Sequence, residues 1–567
     1  MDRTANLNAQ TIREEVDKRI AQLESEIRIL KTHRNTVADT GTLPPEILSK
    51  IFIILRRMFG DAGGYSYDGT SWARVADVCR HWRAIALDCS ALWSDLVFAS
   101  GNPAFTEVML QRSKNAPLTV KFDGGYPNLF ADILCNIASQ TSRLRHVELR
   151  SAALDLPKIL SVFESTAPKL ERLVLEGTDV SDEQPTIPTG FLQDGVPSLQ
   201  HLEITQSIIH WDSLPLSSTL THLHLENIAP NRPTVKSFLE SVANLPRMET
   251  MKLSACLPCS EDALQPVSAP ITLPSLRTLE LQEFAEGLCD FFRWVKIPKD
   301  TRVNIQLSNQ IPGSELLESL FSALRKSWIL SKDTVLDAGG SSVHPEVLDL
   351  RLVDADVGYL VPQIMCWLNN YDLPPNLDAE DPPANLVVSM ASGLGTFSLM
   401  PAIVGSLDIS SLRSLKLASF RMALSKALVA FFKDLAKLDK IAIWEHYGSL
   451  ETFLDVLKKE KDEALSFPAL RSLALHHIDF DDHQGGREDE AVDALVDALK
   501  NRATPHATIE ELRMTQCTNF HRGHWETLCL ALPEVEMYWD EQEEFPDFID
   551  DDDEEDGSDY SYRSTSP

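Results

Sequence analysis

No run of 18 or more apolar residues occurs in this 567-residue chain, and without one no transmembrane helix is expected. The opening stretch, residues 1–19, is too polar for a secretory leader, so the expected location is inside the cell, cytoplasmic or nuclear. Basic residues are scarce: 52 Lys and Arg stand against 84 Asp and Glu, a formal net charge of −32. That shortage argues against nucleic acid and anionic membrane surfaces as partners, since both require a basic face. Paired cysteines are also lacking. The nine cysteines are odd in number and scattered, which fits reduced thiols and not a disulfide framework.

Catalytic signatures are absent as well. The sequence holds no P-loop, no G-x-S-x-G and no dinucleotide G-x-G-x-x-G; Gly393-Leu394-Gly395 lacks the third glycine. Cys256 and Cys259 have the spacing of a redox or zinc pair, but no second pair stands at finger spacing. The histidines His201, His222, His224, His476, His477, His521 and His524 lack a partner spacing with acids or cysteines. No nucleophile stands with a base. The chain is therefore expected not to be an enzyme and to hold no metal and no cofactor.

What is present begins with Leu43–Trp93. Leu43, Ile47, Leu48, Ile51, Phe52 and Leu55 recur at helical spacing, with Thr42 placed to cap and Pro44 and Pro45 suited to a first turn. Val75, Val78, Cys79, Trp82 and Ala86 form a second helical stripe, with Leu92 and Trp93 after it. About 50 residues cannot bury so many large side chains alone. The surplus must dock on the rest of the chain or on a partner.

The stretches LPPEILSKIF, WARVADVCRHWRAIA and CSALW resemble the F-box-like domain, in particular the large fungal, basidiomycete-type family. Members of that family often carry a charged helix before the box and an APLTV-like segment after it. Residues 13–34 and 116–120 match both features. The polar, Gly-rich stretch 60–70 departs from the pattern and lengthens the connection. The resemblance implies a substrate-receptor subunit of an SCF-type ubiquitin ligase. Its F-box would dock on a Skp-type adaptor, and through that on a cullin-RING ligase. Carried over by position, the adaptor-facing residues are Leu43, Pro44, Ile47, Leu48, Ile51, Val78, Cys79 and Trp82; Leu92 and Trp93 would lock the box to the repeat region that makes up the rest of the chain.

Before the box, residues 10–37 read as a charged amphipathic helix. Val16, Ile20, Leu23, Ile27 and Leu30 follow a/d-like spacing, and Glu14–Lys18, Glu15–Arg19 and Glu24–Arg28 are favourable i,i+4 pairs. The apolar seam spans about two heptads, short for a coiled coil. A helix leaning on the F-box is preferred over a dimer zipper.

After the box a six-residue unit recurs, with apolar residues at its first, fourth and sixth positions. It starts at Leu144, Leu170, Leu199, Leu220, Met248 and Leu276, at intervals of 26, 29, 21, 28 and 28 residues. It resumes at Leu412, Leu438, Leu470, Ile509 and Leu532. The period is that of a leucine-rich repeat, in which each unit lays down one short parallel strand and the intervening chain supplies helices. An unrelated α/β fold with leucine-rich strands is the alternative. Cys256 and Cys517 fall three residues after the last apolar position of their units, where such repeats place Asn or Cys, which favours a structural role.

The expected architecture is therefore mixed α/β: a short helix (10–37), an all-helical F-box-like domain (40–96), and a leucine-rich-repeat-like solenoid (116–539) that is irregular over about 300–400. A disordered acidic tail (540–567) ends the chain, carrying thirteen carboxylates between Asp540 and Asp559. The expected substrate surface is the strand face bearing Glu148, Glu176, Glu203, His224, Glu226 and Glu280; outward positions Lys416, His476, Arg513 and Thr515 continue it later in the chain. That face is either simply solvated or an acidic ladder for a basic segment of a substrate protein. The competing function is a repeat scaffold outside any ubiquitin ligase.

Overall fold

A computed structural model describes residues 2–543 apart from 62–70, 97, 99–102, 124–126, 151–155, 164–165, 178–183, 229–231, 259–269, 309–311, 330–345, 354–362, 369–382, 391–398, 419–429, 445–449, 459–464, 481–489 and 503–507. Several expectations fall outside these residues: most of the Gly-rich connection, Cys259, parts of the irregular segment 300–400, and the acidic tail beyond residue 543. The chain divides into two compact units, residues 1–283 with 294–298, and residues 284–293 with 299–567.

The first unit opens with helices α1 (Asp2–Thr36), α2 (Pro45–Asp61), α3 (Arg80–Asp88) and α4 (Pro103–Arg112). In α2 the Pro44 carbonyl accepts from the amides of Ile47 and Leu48, so Pro44 itself occupies the cap and Pro45 the first turn. The second apolar stripe is not one helix. Ser71–Asp77 is a 3-10 turn, Val78 and Cys79 break it, and α3 comes next. The Cys79 sulfur accepts from the Trp82 amide at 3.4 Å and caps α3, which explains the break. The expectation that the leading helix rests against this region is not met. Every residue from 10 to 34 is exposed.

Strands β1 (Asp95–Leu96), β2 (Leu118–Asp123), β3 (Leu144–Arg150), β4 (Arg172–Glu176), β5 (His201–Thr205), β6 (His222–Glu226) and β7 (Thr250–Ser254) come next. After β8 (Ile271–Thr272), β9 (Thr278–Glu283) completes the set. They pair in parallel in the order β1-β2-β3-β4-β5-β6-β7-β9. Each recurring unit thus supplies one strand, its apolar residues alternating into the core: Leu173 and Leu175, Leu202 and Ile204, Leu223 and Leu225, Met251 and Leu253 are all buried. β5, β6 and β7 are each left by a residue in the left-handed region, Gln206, Asn227 and Ala255, with φ of 51°, 49° and 53°. Helices α5 (Pro127–Ala138), α6 (Leu156–Leu160) and α7 (Val235–Ala243) fill three of the connections. A short strand β10 (Val295–Pro298) pairs with β8.

The second unit takes in most of α8 (Ala285–Trp294), then β11 (Arg302–Leu307), α9 (Ser314–Ser327), β12 (Trp328–Ile329), β13 (Asp349–Val353), β14 (Gln363–Trp367), β15 (Leu386–Met390), α10 (Met400–Ser406), β16 (Ser414–Ala418) and β17 (Lys440–Trp444). It ends with α11 (Glu451–Leu457), β18 (Ser472–His476), α12 (Glu490–Asn501), β19 (Glu511–Thr515), α13 (Arg522–Ala531) and β20 (Glu536–Trp539). Its sheet runs β11-β15-β14-β13-β16-β17-β18-β19-β20. All pairings are parallel except those of β14, antiparallel to both β13 and β15. That strand, Gln363–Trp367, carries no recurring unit and is the physical basis of the irregular segment. Residues 540–543, expected to begin a disordered tail, instead bond back: Asp540 accepts from the Gln516 amide at 2.7 Å and Glu543 from the Arg522 amide at 3.1 Å.

Candidate functional site

Helix α2 is apolar on two faces. Leu48 and Phe52 point inward, and the Phe52 ring meets Trp82 at 5.1 Å. Ile47 (41% exposed), Ile54 (55%) and Met58 (64%) point outward, with Ile51 half-buried between them and Pro44 exposed ahead of them. Val78, in the break before α3, is 59% exposed. Seven of the eight sequence-assigned residues therefore reach the surface: Pro44, Ile47 and Val78 openly, and Leu43, Ile51, Cys79 and Trp82 in part. Leu48 does not. At 1% exposure it belongs to the core and offers nothing to a partner. Ile54 and Met58 were missed. Their signal was the 4-3-4 spacing of residues 47, 51, 54 and 58, which continues the outward stripe.

Beneath these helices lies a charge that the sequence pattern does not announce. Arg56 is almost fully buried. Its guanidinium stacks 4.4 Å over the Trp72 ring, donates to the Leu92 carbonyl, and stands 3.5 Å from the Asp95 carboxylate. Burial lowers its pKa, and Asp95 partly offsets that. Trp93 is buried against Trp72 at 5.3 Å, donates its indole N–H to the Ala86 carbonyl at 2.7 Å, and lies under Arg112 of α4. Arg56, Trp72 and Trp93 thus fix α2 to the start of the sheet, so that the outward stripe of α2 sits on a rigid support.

The sheet of the first unit carries the second group of assigned residues. Register places His146, Arg172, His201 and His222 in one row; Lys121, Glu148, Glu203, His224, Lys252 and Glu280 in the next; and Arg150, Glu176 and Glu226 in a third. All six assigned residues share this face. The ladder is not one of like charges, however. Glu148 pairs with Arg172 at 2.8 Å and Lys121 at 3.8 Å, Glu176 with Arg150 at 3.7 Å, and Glu280 with Lys252 at 3.9 Å. Glu203 is the hub: Arg150, Arg172, His201 and His224 stand 3.7, 3.9, 3.5 and 3.4 Å away, and His224 also reaches Glu226 at 3.3 Å. The imidazoles of His201 and then His224 hold the Glu203 carboxyl far below the usual carboxylate range. The His222 ring stacks on His201 at 5.4 Å; burial, and then that neighbour, lower its pKa.

In the second unit the outward positions are partly closed. Lys416 and His476 are buried, contrary to expectation. The His476 ring packs on Trp444 at 5.0 Å and bonds the Thr515 hydroxyl, and burial pushes its pKa down to about 3. Arg351 lies over Trp444 and Arg513 over Tyr538, at 5.1 and 4.9 Å. His521 and His524, which look isolated in sequence, stack at 3.6 Å and form the N-terminal cap of α13. Cys256 and Cys517 occupy the same place in their repeats: each sulfur lies 3.8 Å from the carbonyl of the preceding unit's strand, Leu225 or Leu475. Among the described residues no group of three His, Cys, Asp or Glu is arranged to hold a metal, and no helix is long and apolar enough to cross a membrane.

Residues 40–99 match the family model described as F-box-like. A search of the curated proteins finds no match. F-box domains in general bind Skp-type adaptors of cullin ubiquitin ligases and are typically non-catalytic modules.

Proposed function

We propose that the chain is a substrate-receptor subunit of an SCF-type ubiquitin ligase. In this reading residues 40–99 dock on a Skp-type adaptor through Leu43, Pro44, Ile47, Ile51, Ile54, Met58, Val78 and the exposed edges of Cys79 and Trp82. The observation that carries it is the outward apolar stripe of α2, left uncovered within a stretch that matches the F-box-like model. Such a stripe on a rigid helix is what a helix-packing partner requires. The chain then performs no chemistry itself; it holds a substrate near the ubiquitin-charged enzyme and so raises effective concentration.

The parallel strands, one per recurring unit, form the leucine-rich-repeat-like part of this reading, and their outward face holds the substrate protein. Glu148, Glu176, Glu203, His224, Glu226 and Glu280 already have basic or imidazole neighbours, so a cationic segment must compete with Arg150 and Arg172 for them. A substrate segment bearing both signs of charge fits that network better than a purely basic one. Affinity purification of the full chain, coupled to mass spectrometry, tests the proposal. An adaptor and a cullin should co-purify, and Ile47→Asp with Val78→Asp should remove both while leaving substrates captured by the sheet. Recovery of substrates but no adaptor from the full chain would favour the repeat scaffold outside any ligase.

A further inference from the structure

Helix α1 is a 35-residue helix. Its apolar seam is bare. Val16, Ile20, Leu23, Ile27 and Leu30 are between 43% and 63% exposed, and every residue from 10 to 34 is exposed. The intervals of 4, 3, 4 and 3 along this seam define a heptad frame in which Ile20 and Ile27 fall at a, and Val16, Leu23 and Leu30 at d. Isoleucine at a with leucine at d is the pattern that favours two parallel strands.

The flanking charges agree with one particular partner. In this frame Arg19 and Glu26 occupy g positions, and Glu24 and Lys31 occupy e positions. In a parallel pair each g residue faces the e residue five positions later on the other helix. That places Arg19 against Glu24 and Glu26 against Lys31, opposite charges in both cases, and symmetry repeats each pair. The remaining faces carry Glu14, Glu15, Lys18, Gln22, Ser25, Arg28 and Thr32, all suited to water, with Ala21 and Ile29 the apolar exceptions.

From the bare seam and the self-complementary flanks we infer that α1 pairs with α1 of a second copy of this chain as a parallel two-stranded coiled coil. Parallel helices end together. The dimer therefore brings two copies of α2, which begins nine residues after α1 ends, to the same end of the coil. The receptor would present two adaptor-docking stripes and two substrate faces at once.

Analytical ultracentrifugation of the full chain, from about 0.5 to 50 µM, reads the state directly. Wild type should sediment at twice the 63.3 kDa of one chain. Ile20→Asp with Ile27→Asp should be monomeric with an unchanged thermal transition for the rest of the molecule. Arg19→Glu should weaken association about tenfold, through two lost attractions and two new repulsions. Arg19→Glu with Glu24→Arg should restore it, since the charges merely trade places across the parallel interface. In an antiparallel pair those residues would instead face Glu26 and Lys31, and the double variant would dissociate further. Wild type that stays monomeric at every concentration, a seam variant that remains dimeric, or a double variant weaker than the single one would each overturn the inference.

Discussion

The guanidinium of Arg56 lies 4.4 Å over the ring of Trp72, in the interior of the helical domain and not on its surface. A buried arginine is tolerable only where its charge is met. Here the aromatic face, the Leu92 carbonyl and the Asp95 carboxylate meet it together. The arrangement ties α2, the helix proposed to dock on the adaptor, to the first strand of the sheet, and hence the two proposed binding surfaces to each other.

Arg56→Ala should therefore cost about 3 kcal/mol, from a charge-assisted hydrogen bond and a desolvated cation–π contact. Arg56→Lys should recover only part of this, because a point charge cannot stack on Trp72 and reach the carbonyl at once. Denaturant midpoints of the three proteins measure both effects.

The strands were legible in the sequence because a leucine at every second position has one use, to alternate into a core. The irregular segment was not. Gln363–Trp367 lacks the recurring unit, and nothing in a five-residue apolar stretch reports that it will pair antiparallel. In α2 the pairs Ile47–Leu48 and Ile51–Phe52 are alike in composition, so the choice of the buried member depends on Trp82 and the other residues packed against it. Strand alternation puts Glu148, Glu203 and Glu280 on one face, as register shows, but the acidic ladder offered as one of two readings of that face is interrupted by basic neighbours. Lys121, Glu148 and Arg172 become neighbours only through register between strands, a relationship that intervals of 20 to 30 residues conceal.

Cys256 and Cys517 should be inert in the folded protein. Both are buried, and burial pushes their thiols up to about 12. Alkylation with iodoacetamide at pH 8, read by peptide mass spectrometry, should label the exposed Cys529 well before either. Both buried thiols should react at once in denaturant.

His476 gives stability a pH signature. Its folded pKa of about 3 lies below the unfolded value of about 6.5. Above pH 6.5 the ring is neutral in both states. As pH falls from 6.5 toward 3 the unfolded chain takes up a proton that the folded chain refuses, and stability is lost. By pH 5 the loss is about 2 kcal/mol. His476→Gln removes this dependence but keeps a hydrogen-bonding side chain for Thr515. The stability gap between wild type and variant should shrink by about 2 kcal/mol between pH 7 and pH 5, as equilibrium unfolding at the two pH values would measure. A constant gap would mean that the ring titrates normally.

Above all, the outward stripe of α2 is proposed as the adaptor-docking surface and the inward one as core. The direct measurement is the affinity of a purified Skp-type adaptor for wild type, for Ile47→Asp with Val78→Asp, and for Leu48→Ala, each with its melting curve. The aspartate pair should weaken binding at least about a hundredfold, as loss of an interface anchor does, without moving the melting midpoint. Leu48→Ala should destabilise the fold by about 3 kcal/mol through the cavity it leaves, with binding affected only as far as folding is. Undiminished binding by the Ile47 and Val78 variant, with its fold intact, would contradict this division of α2 into a docking face and a core face.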